Sequence, residues 1–355
     1  MKKITFFAYN MYQMGGIEKV VTLIANELSK KYDVEIISLY QTAELPFYKL
    51  SENIKVYSIL KKELRPIKLY YLYLMYKVRK FLKDYNTDVF ICAGTAYVPL
   101  NIFLRKRAKY IAWEHMDSSK GRVGGIMWLG RRVSAKYADN IVVLTKKDLE
   151  QNIRFFNDEE KLRQIYNPIE FMPQQNKYDP NSKKILTVAR IELNTKGYDM
   201  LVSVAQKVFA KHKEWEWHIY GDGPDFDKLK KLVHKNNLES NLKLMGRTNK
   251  MNELYSKYSF FVMTSRHEGF PMVNIEAHYA KLPIISFDCK CGPDEIIQDG
   301  VNGFLIECFD IEKMVEKINF LIENPNARIK MSENTMLDKE KLQMENVIKE
   351  WERII

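Results

Sequence analysis

A chain of 355 residues is too long for one ordinary hydrophobic core and fits two domains of about 170 residues each. Apolar residues at 46% and charged residues at 28%, with glycine and proline thinly spread, exclude a disordered or fibrous chain. The 56 Lys and Arg against 45 Asp and Glu leave a net charge of +11, which raises three anionic partners: nucleic acid, a membrane surface and a phosphorylated substrate.

The N-terminal MKKITFFAYNMYQMGG has a short apolar stretch and no small-residue cleavage site, so it reads as a first strand and not as a targeting signal. Gly15-Gly16-Ile17-Glu18 separates it from a helix predicted over Ile17 to Lys30. Paired glycines let a backbone approach a phosphate and a helix N-terminus offers donors, although turns use such pairs routinely. VEIISLY, DVFICAG, KYIAWEH and NIVVL follow as strands, each with a helix-like segment after it, and this alternation predicts parallel α/β layers. The apolar run Leu69 to Tyr76 and the uncharged stretch Val89 to Leu104 both fall short of the ~20 residues that span a bilayer. Cys92, Cys289, Cys291 and Cys308 are too scattered for a disulfide framework and read as reduced thiols.

A break comes at Tyr166-Asn167-Pro168-Ile169, and the polar FMPQQNKYDPNSKK after it is the best linker candidate. A second α/β series begins with KILTVAR, EWHIYG, LKLMG, SFFVMT and LPIISF, and helical stretches run from about Ile311 to Ile355. The domain reading is 1–170, 171–340 and a closing helix over 341–355. In such sheets ligands bind beyond the carboxyl ends of the strands.

The segment SRHEGFPMVNIEAHYAKLPIISFDCKCGPDEIIQDGVNGF, residues 265–304, is the most informative. Pro271 suits the first turn of a helix, with Gly269 and Phe270 as a tight entry and free backbone donors that favour an anion. Glu276 is the only charged side chain between Phe270 and Ala280, so it is expected to be partly buried and to need a hydroxyl or protein donor. An acid on the exposed side of an amphipathic helix is the plainer alternative.

Glu268-x7-Glu276, within E-G-F-P-x-x-x-x-E-A, resembles the signature of the family 4 retaining glycosyltransferases of GT-B fold, and GPDEIIQDGVNGFL resembles that family's continuation. The resemblance implies two Rossmann-like α/β domains facing across a cleft, with a C-terminal helix returning to the N-terminal domain. It implies that Glu268 contacts donor-sugar hydroxyls, that Glu276 holds the nucleotide ribose, and that Gly269, Phe270, Pro271 and Met272 face the sugar and diphosphate. Pro271 has no N–H to offer. Arg190 and Lys196 match the family's cation pair beside the leaving diphosphate, where two cations neutralise developing charge. Gly15 and Gly16 match the family's G-G-x-E facing the diphosphate, and Gly221 belongs to its G-D-G-P near the base. His115, after the strand KYIAWEH, matches an acceptor-domain histidine beside the transferred sugar; a lone histidine is otherwise a hydrogen-bonded structural residue. Glu114 and Asp117 are acceptor contacts by proximity alone. Asp225-Phe226-Asp227 imitates a metal-binding D-x-D, but acids in a helix's first turn more simply complement its dipole.

The implied chemistry is transfer of a hexose or N-acetylhexosamine from a nucleotide sugar, with UDP as the expected nucleotide, by front-face attack without metal or other cofactor. Residues 1–170 hold 29 Lys and Arg against 18 Asp and Glu, so the whole excess charge lies in the presumed acceptor domain. It is densest in KKELRPIKLYYLYLMYKVRKFLK, residues 61–83, and in Arg105-Lys106-Arg107, with Arg122, Arg131 and Arg132 as a third group. Cations mixed with tyrosine and phenylalanine on helical stretches suit an anionic membrane surface, so Lys77, Arg79, Lys80, Lys83, Arg105, Lys106 and Arg107 are expected to meet one. A solvated helix with a buried tyrosine side is the competing reading. The expectation is a cytoplasmic enzyme, peripheral at the inner face of the membrane, with a lipid-linked saccharide acceptor in cell-surface polysaccharide synthesis. A GT-B epimerase or phosphorylase, a catalytically silent relative and a basic nucleic-acid-binding protein are the rivals, the last without a recognised motif.

Overall fold

The computed structural model describes residues 1–64, 66–116, 124–156, 159–169, 178–248, 250–335 and 339–355. Asp117, Arg122 and the first half of the linker candidate lie outside the described residues. The chain divides into two compact units: Met1–Glu170 with Glu340–Ile355, and Phe171–Lys339.

In the first unit β1 (Lys3–Ala8), β2 (Asp33–Tyr40), β3 (Lys55–Leu60), β4 (Val89–Ala93), β5 (Lys109–Trp113), β6 (Asn140–Val143) and β7 (Leu162–Gln164) form one parallel sheet, in the order β3-β2-β1-β4-β5-β6-β7. In the second unit β8 (Lys184–Val188), β9 (Glu216–Tyr220), β10 (Leu242–Gly246), β11 (Phe260–Met263), β12 (Ile284–Phe287) and β13 (Gly303–Ile306) do the same, in the order β10-β9-β8-β11-β12-β13. The inner strands are rich in buried apolar residues because helices cover both faces of a parallel sheet; VFICA in β4 and FFVM in β11 are apolar and buried throughout. Strand order reverses between β1 and β4 in one sheet and between β8 and β11 in the other, and crevices for ligands open at such reversals, beyond the carboxyl ends.

The last helix, Met344–Glu352, belongs to the first unit. Trp351 is fully buried there, edge-on to Trp113 with ring centroids 4.7 Å apart. The Ile169 amide donates to Leu342 O at 2.8 Å, and Lys31 pairs with Glu352 at 2.8 Å.

The helix Ile67–Phe81 buries Leu74 and Val78 and turns its other side outward, with Leu69 77%, Leu72 78% and Tyr76 59% exposed. The reading with tyrosines on the covered side is therefore inverted: Tyr70, Tyr73 and Tyr76 are exposed and Tyr71 alone is half-buried. No helix among the described residues is long and apolar enough to cross a membrane.

Candidate active site

At the reversal in the second unit, β8 and β11 lie side by side and each runs into a loop bearing predicted site residues. After β8 the chain passes Arg190 and the short helix Leu193–Lys196 to reach Gly197. After β11 it passes Thr264 to Pro271 and enters the helix Met272–Tyr279. Several bonds knit the two loops. The Arg266 amide donates to Thr195 O at 2.9 Å, and the Thr264 hydroxyl donates to Lys196 O at 3.1 Å. The Arg266 guanidinium meets both Asp199 oxygens, at 2.7 and 2.6 Å, in a bidentate clamp. Gly197 is what lets the loops approach: its φ is +67°, and a Cβ there would overlap the Thr264 carbonyl oxygen.

This lock brings Lys196 Nζ to 2.7 Å from Glu268 Oε1, with side chains only 21% and 11% exposed. So enclosed a pair escapes most salt screening, and either charge left alone would be costly. Arg190, expected to act beside Lys196, is instead about half exposed and pairs through Nε with Glu192 at 2.8 Å. Each cation of the predicted pair is thus matched to an acid in this state.

The helix Met272–Tyr279 begins one residue later than expected: Pro271 is its N-cap, with an extended ψ of 99°, not a member of its first turn. The Met272 and Val273 amides therefore precede any helical acceptor, while Phe270 is buried and Gly269 half-buried beside them. Glu276, one helical turn on, is half-buried, and its Oε2 accepts a hydrogen bond from the Tyr255 hydroxyl at 2.8 Å. Gly221 follows β9 and donates to Gly246 O at 2.9 Å. Asp225 accepts from the Leu193 amide at 3.1 Å and from Lys228 at 2.7 Å, which ties the Asp225-Phe226-Asp227 segment to the β8 loop.

Sequence reasoning missed four of these groups. Tyr255, Asp199 and Arg266 act through partners 21 to 67 residues away, which no local pattern announces. Asn274 is fully buried with neither amide atom hydrogen-bonded among the described residues, a feature that its position among apolar residues could have flagged.

In the first unit Gly15 is the N-cap of the helix Gly16–Leu28, but the helix end is not open. Glu18, 5% exposed, folds its carboxylate over Gly15 and accepts from Gln13 Nε2 at 3.0 Å. An anion at Gly15 and Gly16 would have to displace this carboxylate, which already complements the helix dipole. His115 lies two residues beyond β5, its ring 4.3 Å from that of Trp113. Burial pushes its pKa down to about 3, so the imidazole is neutral, and its buried Nε2 has no hydrogen-bond partner among the described residues. Glu114 is not an acceptor contact: it points inward, takes a hydrogen bond from the Thr95 hydroxyl and two at 3.1 Å from the His115 and Met116 amides. Burial raises its pKa. It braces the turn that carries His115.

The predicted surface cations divide. Lys77 lies over Tyr73, Arg79 over Phe103 and Arg105 over Tyr137, while Arg107 donates to Lys83 O at 2.5 Å. Lys80, Lys83 and Lys106 are exposed. Arg131 leaves the group: it is 7% exposed, bonded to Asn152 at 2.8 Å and stacked on Phe155.

The family model described as Glycosyl transferases group 1 matches residues 168–337, and that described as Glycosyltransferase Family 4 matches residues 14–171. A relative in Haemophilus influenzae bearing the name glycosyltransferase is 32% identical over 366 residues, covering 100% of both chains. The chain belongs to the family 4 glycosyltransferases of GT-B fold. This glycosyltransferase is also 26% identical, over 100% of its length and 98% of the relative's, to a Campylobacter jejuni α-1,4-N-acetyl-D-galactosaminyltransferase named for a diNAcBac-PP-undecaprenol substrate. In fold it resembles a Staphylococcus aureus TarM variant crystallised with fondaparinux, α-GlcNAc-glycerol and UDP, with TM-score 0.84 and 19% identity over 100% and 99% of the two chains. It also resembles the apo lipopolysaccharide outer core galactosyltransferase WaaB, with TM-score 0.71 and 20% identity over 99% and 98%.

Proposed function

We propose that this glycosyltransferase moves a hexose or N-acetylhexosamine from a UDP-linked donor to a lipid-linked saccharide in cell-surface polysaccharide synthesis, with retention of configuration and without a metal. The observation that carries the reading is the enclosed Lys196–Glu268 pair at the β8/β11 reversal, where an α/β sheet takes a nucleotide. The undecaprenol-linked substrate in the name of the Campylobacter relative and the UDP in the TarM complex support the acceptor and donor classes.

In this reading Glu268 accepts from donor-sugar hydroxyls while it holds Lys196 beside the diphosphate. Lys196, Arg190 and the Met272 and Val273 amides neutralise the charge that grows on the leaving group. That cationic set does the work a metal would do. The departing diphosphate takes the acceptor's proton as the acceptor hydroxyl attacks from the same face, through an oxocarbenium-like transition state. The neutral His115 ring in the first unit suits a sugar hydroxyl. Glu276 accepts from the ribose.

The outward side of the helix Ile67–Phe81 supports attachment to an anionic bilayer, which for this substrate class is the inner face of the cytoplasmic membrane. Leu69, Leu72 and Tyr76 offer the apolar contact, with Lys80 and Lys83 beside them. Sedimentation with anionic liposomes should weaken with salt and on neutralising Lys77, Arg79, Lys80 and Lys83 together; indifference to both leaves a soluble acceptor.

The deciding experiment incubates the protein with a panel of sugar nucleotides, scoring nucleotide release with and without membrane lipid. Release of UDP that depends on lipid is the expected result. A Glu268→Gln variant should lose about 10- to 100-fold in kcat/KM, since a hydrogen bond to a charged group is worth about 1.5–3 kcal/mol. Wild-type turnover by that variant would falsify the role of Glu268, and loss of activity on chelation would sink the metal-free mechanism.

A further inference from the structure

Glu276 is not positioned by its helix alone. A glutamate side chain has three rotatable bonds, and a half-exposed one samples several rotamers unless something holds its end. Here that something is Tyr255, which stands before β11 while Glu276 stands after it. Tyr255 is 1% exposed, in a core cluster with Tyr220, Tyr258, Phe261, Ala277 and Ile284, so its ring has no room to turn. Its hydroxyl donates to Glu276 Oε2 at 2.8 Å. Burial, and then the neighbouring Glu276 carboxylate, push the phenol well above its usual range, so it keeps the proton it donates. A carboxylate has about four lone-pair positions, and the Tyr255 hydroxyl occupies one of them. A core phenol buried for packing alone would as well be a phenylalanine; the buried hydroxyl is matched to one partner, and that partner is a residue of the candidate site.

We propose that Tyr255 is a positioning residue for nucleotide recognition, its buried hydroxyl fixing the Glu276 carboxylate in the orientation that accepts the ribose hydroxyls. This rests on the reading of Glu276 as the ribose contact. Orienting the acceptor before binding removes an ordering cost that the nucleotide would otherwise meet.

Titration calorimetry with UDP and with 2′,3′-dideoxy-UDP separates the two claims. For the wild type, Tyr255→Phe, Glu276→Gln and the double variant, the quantity of interest is the ratio of the two dissociation constants, because a general loosening of the core weakens both nucleotides alike and cancels. Tyr255→Phe should raise Kd for UDP about five- to tenfold and leave that for the dideoxy compound unchanged. The double variant should be no weaker than Glu276→Gln alone. Equal weakening of both nucleotides by Tyr255→Phe, no weakening of either, or full additivity with Glu276→Gln overturns the positioning role while Glu276 stands. If Glu276→Gln itself keeps the wild-type preference for UDP over the dideoxy compound, the ribose reading fails, and the role of Tyr255 with it.

Discussion

Replacing Gly197 with alanine tests whether the loops after β8 and β11 are held together as described. Two costs arise at this position. The backbone has φ +67°, where a Cβ costs about 1–2 kcal/mol. That Cβ would also overlap Thr264 O and come within 2.6 Å of Met200 Cε, and such overpacking adds about 1–3 kcal/mol as the loops part. Gly300 is the matched control, with φ +74° and nothing within 4 Å of an added Cβ, so Gly300→Ala carries the backbone cost alone. Urea titration read by hydrogen exchange of the β8 and β11 peptides reports the second unit by itself. Gly197→Ala should be less stable than Gly300→Ala by about 1–3 kcal/mol and should lose activity, since Lys196 is carried away from Glu268. Equal stability of the two variants would refute the close approach of the loops.

Burial holds His278, on the helix that bears Glu276, at a pKa of about 3, so the unfolded chain binds more protons below pH 6.5. Stability of the second unit should be complete well above that pH and fall by about 1 kcal/mol between pH 6.5 and 5.5, with the loss ending near pH 3. A His278→Gln variant whose urea midpoint is as steep in pH would exclude this source. Trp351→Ala should cost the first unit about 3–5 kcal/mol, because it empties a fully buried indole site against Trp113. Exchange protection should drop in β4 and β5 peptides and hold in β8 and β11; a loss confined to the last helix would contradict that packing.

The inner strands were readable because a parallel sheet covered on both faces favours dense apolar stretches, as in VFICA of β4 and FFVM of β11. β3, β7 and β13 were not, since KVYSIL, LRQ and GFLI lie at sheet edges where half-exposure or brevity dilutes the pattern. At the site, Glu276 stood out because an acid among apolar residues conflicts with burial unless something meets it, whereas Glu268 was reached through the E-x7-E resemblance and Lys196 as one of two cations after a strand. Their mutual geometry was not readable: Lys196 is 72 residues from Glu268, and composition assigns no partner across that distance. Arg131 and Glu114 show the opposite error. Arg131 was read as surface from its basic neighbours and Glu114 as an acceptor contact from its nearness to His115, whereas both side chains turn inward to partners from other segments.

The first unit is discontinuous in sequence, completed only by residues 340–355, and this orders the events of synthesis. The whole second unit leaves the ribosome while the first still lacks the helix that covers Trp113. Until Trp351 arrives, Trp113 at the end of β5 lacks the ring that packs on it during the manufacture of about half the chain. A chaperone that binds nascent chains should therefore stay on the N-terminal half until residues 340–355 have emerged, and an isolated 1–170 fragment should need residues 340–355, supplied in trans or by fusion, before it becomes soluble.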